Sequence, residues 1–499
     1  MIKSRILNGL ENQIGVNWAY ISFSLIAAVF LRALIFGEQY ATPLEVFIWY
    51  PVLVVTGFLL VKMFAKRFFS NSVGFEFRVL PITAILAISL GFVLSLLPFW
   101  GRVTAGMPLS LSQLATYVLT LGIYPFQFGP DGFLRGIAWV MAIVPAIFLY
   151  KESKDLFKSI FLGVLSWAAM TFVFLMPSLI LIITMLFNSL PFTSTGAVMV
   201  GEFTRLNLFS YWGDGQLLRW FTGFGGQATN ALLLYTASWI FMLGSIVWSI
   251  SNFDLIKQAL NGFKVSWIFS AICIVLFGFL AGSSHQGWIG LDAAAWGVFV
   301  LVLLFSWLYV RVNTLTPVQT DESMLVFWLL GLMLLGWPVF LGGVLLAITV
   351  YCKDQIKSLN LMTSWEWVAD ALVPIVMVLL FALFMRRGAV LEPVAIQIVL
   401  MFGLFAFLAG FVGYAKKVKL TKIWLSAGWV VIAGLLWIVA GVFSPVAIMM
   451  LAGVFVWMFW QKILEYSWEP DVLVWGVALL VLLVVIWLPR VAHPELIPR

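Results

Sequence analysis

Long apolar runs recur along this chain with only short polar connections between them. They fall near 17–36, 44–64, 79–99, 133–150, 158–187, 228–250, 265–282, 291–310, 368–385, 393–415, 423–442, 445–464 and 472–489. A helix of about 20 apolar residues crosses a hydrocarbon core about 30 Å thick. In lipid each backbone polar group must be satisfied inside the chain, so helices and closed barrels are the only spanning structures. Composition agrees: 63% of the 499 residues are hydrophobic and 10% are charged, against about 45–50% and about 25% in soluble domains. A soluble enzyme, a disordered chain and a disulfide scaffold are excluded. The reading is an all-α polytopic integral membrane protein.

Two further segments set the helix count. The run 324–351 is too long for one span and contains Gly336-Trp337-Pro338, where the missing donor of Pro breaks a helical ladder. It reads as two helices. The stretch 108–130 is interrupted by Gly122 and Pro125 and ends in the turn sequence Gly129-Pro130-Asp131-Gly132. It reads as a re-entrant or interfacial segment. The total is about 15 transmembrane helices. Basic residues favour the cytoplasmic side, and Lys3, Arg5, Lys62, Lys66, Arg67, Lys151, Lys154, Lys158, Lys353, Lys357 and the cluster Lys416 to Lys422 then share one face. Arg386-Arg387 is the exception. The N-terminus is expected in the cytoplasm, the C-terminus outside, and the membrane is expected to be the cell membrane.

The organisation divides near Ser251-Asn252. Residues 1–251 form a membrane domain of about six spans, with the 108–130 segment and an exoplasmic loop over 188–227. Residues 252–499 form a membrane domain of about nine spans, which Asp254 to Lys264 introduces as an amphipathic-looking stretch. The start of the chain leads into a full apolar run without a cleavage site, so the first helix is read as retained. The net charge of +7 sits in short loops, so nucleic acid is not an expected partner. The two cysteines, Cys273 and Cys352, lie in unlike settings and suggest no bridge.

Ionisable groups in hydrocarbon are costly and mark function by default. Few are present. Arg32, about one turn from the end of the first run, is expected to snorkel to the headgroups. Asp292, Asp370 and Glu392 lie at helix starts, where the dipole favours a carboxylate. No charge falls at a midplane, which weighs against an ion-coupled transporter. On the exoplasmic side, Asp131 with Arg135 and Asp214 with Arg219 are candidates for binding a headgroup or sugar. Asp131-Gly132 is also simply a turn pair. His285, in Ser-Ser-His-Gln-Gly-Trp, reads as a solvated loop residue.

The C-terminal half carries the most specific pattern, Arg311-Val312-Asn313-Thr314-Leu315-Thr316-Pro317-Val318-Gln319-Thr320-Asp321-Glu322. It resembles the first aspartate motif of the UbiA-type intramembrane prenyltransferases, Asn-Asp-x-x-Asp-x-x-x-Asp. Asn313 and Asp321 are in register, and Thr314 and Pro317 replace the two middle acids. The resemblance covers about half the chain, residues 254–499, and implies a UbiA-like nine-helix bundle. Tyr351 with Lys353 and Lys357 follows the fourth helix of that half, where the family often has a tyrosine and then basic residues. The family's two acidic clusters imply Mg²⁺ held against a prenyl diphosphate, since hard oxygen ligands bind Mg²⁺ and the ion neutralises the departing diphosphate. Here the second cluster is replaced by Gly413-Tyr414-Ala415-Lys416-Lys417-Val418-Lys419-Leu420-Thr421-Lys422, without a carboxylate.

No catalytic residue, metal ligand or cofactor is therefore assigned, and Mg²⁺ enters only if prenyl transfer survives. Asn313, Asp321, Tyr351, Lys353, Lys357, Lys416, Lys417 and Lys419 are the candidate lipid-phosphate residues, because lysine binds phosphate as a point charge. The same lysines also serve simply as orienting charges. The expected function is a non-catalytic lipid- or isoprenoid-binding module, or a subunit of a membrane assembly. Its partners are membrane lipids, isoprenoid phosphates among them, and other membrane proteins. One alternative is a transporter or flippase for an amphipathic substrate. Another is a prenyltransferase or lipid-linked glycosyltransferase with an atypical site.

Overall fold

The computed structural model describes residues 17–36, 44–69, 79–97, 111–122, 131–187, 227–260, 272–278, 293–315, 322–336, 339–348 and 374–380, with single positions as far as 406. Every element among the described residues is helical. In chain order, α1 is Asn17–Phe36, and α2 is Tyr50–Ala65, wound onto a π turn Glu45–Trp49. Next come α3 (Leu80–Ser95), the short α4 (Leu111–Leu119), α5 (Gly132–Ser153) and α6 (Leu156–Phe187). Then follow α7 (Gln227–Ser251), α8 (Phe253–Leu260), α9 (Ala293–Leu315) and α10 (Glu322–Leu335).

Among the described residues, four stretches are long and apolar enough to cross a membrane: Val46–Ala65, Gly132–Ser153, Leu156–Thr184 and Leu232–Ser251. They make the chain compatible with an integral membrane protein. The distribution of apolar side chains fits the same environment. Phe23 and Leu34 on α1, Ile82 and Val93 on α3, Ile147 on α5, and Phe157, Ile160 and Val164 on α6 all face outward. In water so broad an apolar surface would drive association, whereas hydrocarbon surrounds it without penalty.

The chain forms two compact units. The first holds Met1–Ile256 with Leu291–Tyr309 and Gln319–Leu334; the second holds Lys257–Gly290, Val310–Val318 and Leu335–Arg499. A cut at residue 251 and this division differ over 252–256, 291–309 and 319–334, which sequence order assigns to the C-terminal half and packing assigns to the first unit.

In the first unit α2 is the central helix, buried along nearly its whole length and packed on α6 and α7. Helix α5 packs on α3 and α6, and α1 on α3. Pro51 and Pro81 stand in the first turns of α2 and α3, where a missing N–H costs no hydrogen bond. Helices α3 and α5 cross at a pair of glycines. A Cβ on Gly136 would lie 2.7 Å from Gly91 Cα, so the two backbones approach more closely than any side chain allows. Gly244 is similar: its Cβ would meet Phe327 Cζ at 2.5 Å and Thr56 Oγ1 at 2.6 Å.

Aromatic contacts hold α9 and α10 against α7. Phe241 stacks on Phe327 with centroids 4.5 Å apart, and Trp248 meets Phe305 edge-on at 5.0 Å. Trp248 Nε1 donates to Ser323 Oγ at 3.2 Å, and Trp328 Nε1 to Ser306 Oγ at 2.7 Å. These bonds satisfy indole donors that would otherwise be buried without a partner. The order of contacts also fixes direction. Gly297 adjoins Met242 while Phe305 meets Trp248, so α9 runs parallel to α7. Ser323 adjoins Trp248 while Gly331 adjoins Phe241, so α10 runs antiparallel.

The second unit is described in part. Val339–Ile348 is an apolar helix, Gly342 lies against Leu380, and Phe277 meets Phe402 edge-on at 5.3 Å. Gly336, at φ +115°, ends the helical path after Leu335. The run 324–351 is thus broken at the glycine one residue before Trp337, since an L side chain rarely adopts this backbone conformation.

Candidate functional site

The ends of the first unit's helices sort by charge. Helix α2 carries Lys62 in its last turn, with Lys66 and Arg67 beyond, and α5 carries Lys151 in its last turn. Lys154 and Lys158 mark the link from α5 into α6. Thr184, late in α6, lies 3.3 Å from Tyr235, early in α7. Helix α7 therefore terminates at the lysine-bearing end too. The opposite end gathers the last turns of α1 and the first turns of α2 and α5, and the charged cluster lies there.

Asp131 organises that cluster. Its extended backbone makes it the N-cap of α5, and Oδ1 accepts from Leu134 N at 2.9 Å. This bond satisfies one of the four N–H groups a helix leaves open at its start. Oδ2 accepts from both Arg32 Nη1 and the Tyr50 hydroxyl. Arg32 Nη1 also donates to Tyr50 Oη at 3.2 Å. Aromatic rings close the surroundings, with the Arg32 guanidinium 6.0 Å from the Phe133 centroid and Tyr50 5.9 Å from the same ring. The Asp131 side chain has no exposed surface and that of Arg32 retains 10%. The expectation that Arg32 snorkels to the headgroups is corrected: it turns inward to a carboxylate 99 positions away. Pairing inside a poorly screened environment outweighs solvation of a lone guanidinium at the boundary.

Arg135 stands one turn into α5, also buried, and its backbone N–H bonds Asp131 O at 3.0 Å. Tyr117 of α4 is a near neighbour of both. Burial pushes its hydroxyl well above the ordinary tyrosine range; Arg135 draws it down and Asp131 pushes it up. The phenol stays neutral. Helix α4 is itself seated by Leu114 and Tyr117 against Leu175 and Ile182 of α6.

The structure thus places Asp131 and Arg135 together, as the sequence pairs them, and adds Arg32, Tyr50 and Tyr117. Asp214 and Arg219 lie outside the described residues. So do Asp321, Tyr351, Lys353, Lys357, Lys416, Lys417 and Lys419. Asn313 is placed by its backbone alone, in the last turn of α9. Among the described residues no three His, Cys, Asp or Glu side chains are grouped to hold a metal ion. Chemically, the Asp131 cluster joins α1, α2 and α5: both carboxylate oxygens are engaged by donors.

Comparison of the chain with models of known families, with curated proteins and with solved structures gives no match.

The connection between α9 and α10 is the other feature bearing on function. Phe305 and Ser323 both contact Trp248, three residues before the end of α7. Helices α9 and α10 therefore both meet α7 at the lysine-bearing end, and the sequence between Phe305 and Ser323 contains Asn313 and Asp321.

Proposed function

We propose that the protein is a polytopic membrane protein that binds a phosphorylated membrane lipid, isoprenoid phosphates included, without transforming it. In this reading the chain has about 15 spans, an N-terminus in the cytoplasm and a C-terminal half built as a UbiA-like bundle. The observation that supports it is the return of α9 and α10 to the lysine-bearing end. On this reading the connection carrying Asn313 and Asp321 faces the same aqueous phase as the exposed Arg67, Lys151 and Lys154. The Lys416, Lys417 and Lys419 loop shares that phase on the sequence's charge parity. Ammonium groups grip a phosphate as point charges. A loop without carboxylates lacks the hard oxygen donors that Mg²⁺ requires.

The test uses the full-length protein in nanodiscs with a radiolabelled polyprenyl phosphate. A lysine near an anionic group contributes about 1 kcal/mol. Replacing Lys416, Lys417 and Lys419 by glutamine together then weakens binding on the order of 100-fold. Mg²⁺-dependent prenyl transfer to a lipid acceptor, or binding indifferent to the triple substitution, overturns the proposal. A second reading, transport of an amphipathic substrate, draws on the short α4 seated against α6 beside a buried charged cluster. Substrate flux in proteoliposomes, absent from protein-free vesicles, would favour it over static binding.

A further inference from the structure

Helix α6 is one helix from Leu156 to Phe187, and one of its sides is outward-facing near its start and covered near its end. Val164, Ala168 and Leu175 follow Phe157 by 7, 11 and 18 positions, so at about 100° per residue the four share one side. Phe157 and Val164 are 81% and 58% exposed, and Ala168 is exposed as well. Leu175 is 4% exposed. What covers it is α4: Leu114 and Tyr117 form one buried cluster with Leu175 and Ile182, against which Leu179 also packs. Leu179 and Ile182 extend the same side of α6 past Pro177. Both helices belong to the first compact unit.

Two measures give the level of α4. Leu175 and Ile182 lie 17 and 24 positions beyond Lys158, about 26 and 36 Å at 1.5 Å per residue. A hydrocarbon core about 30 Å thick that begins at the lysine-bearing end finishes between them. Tyr117 interacts with Arg135 and Asp131, and Asp131 caps α5 at the end opposite the lysines.

At that level α4 closes without calling on water. Gly122 N donates to Tyr117 O at 2.8 Å and Leu121 N to Val118 O at 3.1 Å, the paired bonds of a Schellman ending. Leu121 and Gly122 take φ of +54° and +69° to make the turn. Thr120 donates to Thr116 O from both its backbone N–H and its hydroxyl, and the Thr116 hydroxyl donates to Ser112 O at 2.8 Å. The carbonyls of 116, 117 and 118 are therefore all occupied inside the segment, as lipid requires of a backbone. Around this end Val118, Leu119 and Leu121 are exposed, Leu119 to 82%. No residue from 111 to 122 is charged.

We propose that the C-terminal end of α4, from Val118 to Leu121, is seated in the acyl chains of the leaflet opposite the lysine-bearing end. Its partner is the bilayer. Helix α6 supplies the reason: its outward side belongs to a stretch long and apolar enough to cross a membrane, α4 takes the place of lipid on that side, and lipid then meets the far surface of α4. The inference rests on the polytopic-membrane reading and is independent of phosphate binding at the lysine-bearing end.

The experiment places a single cysteine at 119, 154 or 164 in full-length protein carrying Cys273→Ala and Cys352→Ser. Each is labelled with an environment-sensitive fluorophore in phosphatidylcholine vesicles. Position 164 calibrates lipid and position 154 calibrates water, since Val164 lies on the outward side of α6 and Lys154 is exposed between α5 and α6. The label at 119 is expected to follow 164, with quenching by spin-labelled lipid severalfold above that at 154 and iodide quenching severalfold below. A label at 119 that follows 154 while 164 reports lipid overturns the proposal and leaves the membrane reading standing. A label at 119 shielded from both quenchers, with bismaleimide joining 119 to 119 between copies, also overturns it, because a second copy then covers the site. If 164 itself reports water, the membrane reading of α6 fails and the proposal fails with it.

Discussion

Replacing Asp131 by asparagine separates its two tasks. Asparagine keeps a carbonyl oxygen for Leu134 N, so the cap of α5 survives. It removes the negative charge that Arg32 Nη1 and the Tyr50 hydroxyl both address. Breaking a buried ion pair by deleting one partner costs about 3–5 kcal/mol, since the other charge stays buried and uncompensated. With both side chains at or below 10% exposure, no solvent discount applies. Arg32→Gln is expected to cost a similar amount, now by stranding the carboxylate. The double substitution Arg32→Gln/Asp131→Asn leaves two neutral amide side chains able to bond each other. Its cost falls short of the sum of the singles by about 2–3 kcal/mol. The assay is reversible unfolding of the full chain in mixed micelles as the fraction of dodecyl sulfate rises, followed by tryptophan fluorescence. Each single variant should shift the unfolding equilibrium constant on the order of 100-fold or more. Additive singles, or an Arg32→Gln cost below about 1 kcal/mol, would show that the pair is not what joins α1 to α5.

Four further outcomes follow from the same geometry. Gly136→Ala places a Cβ 2.7 Å from Gly91 Cα; the backbones of α3 and α5 must separate, at about 1–3 kcal/mol, measured in the same titration. Gly244→Ala pushes on Phe327 and Thr56 and should loosen α10, seen as faster hydrogen exchange over Glu322–Leu335. Asp155, exposed at the start of α6, is held below the ordinary carboxylate range, first by the Lys158 backbone N–H and then by the Lys158 side chain. A depressed folded value means a contribution present at and above the ordinary range and lost as pH falls through the lowered value. Exchange in the first turn of α6 should therefore differ between wild type and Asp155→Asn at neutral pH and converge in acid. Cysteines introduced at Lys154 and Asp214 should react with an impermeant maleimide from opposite sides of sealed vesicles; labelling from one side refutes the assigned topology.

Much of the helical layout was legible because apolar length is a local property. The run 17–36 contains α1, and 133–150, 158–187 and 228–250 contain most of α5, α6 and α7. The stretch 108–130 yields a helix of 9 residues, Leu111–Leu119, as its interrupting Gly122 and Pro125 suggest. Grouping was less legible. Residues 291–309 pack with the first unit because Met242 and Trp248 of α7 offer Gly297 and Phe305 a complementary surface. Sequence order holds no record of that choice.

The charged cluster shows where a local reading stops. Arg32 near a helix end has a long stem and an apolar neighbourhood, and from those facts alone solvation at the boundary is the cheapest outcome. What changes the balance is Asp131, which no window around Arg32 contains. A parity argument holds the missing information. If α1, α2, α3 and α5 cross and α4 does not, the last turn of α1, the first turn of α2 and the first turn of α5 share one end. Opposite charges at the same depth in a weakly screened layer then attract far more strongly than they would in water. Topology thus converts a residue that looks merely tolerated into one with a required partner. At the opposite end Lys151, Lys154 and Lys158 are exposed, and there no such pressure exists.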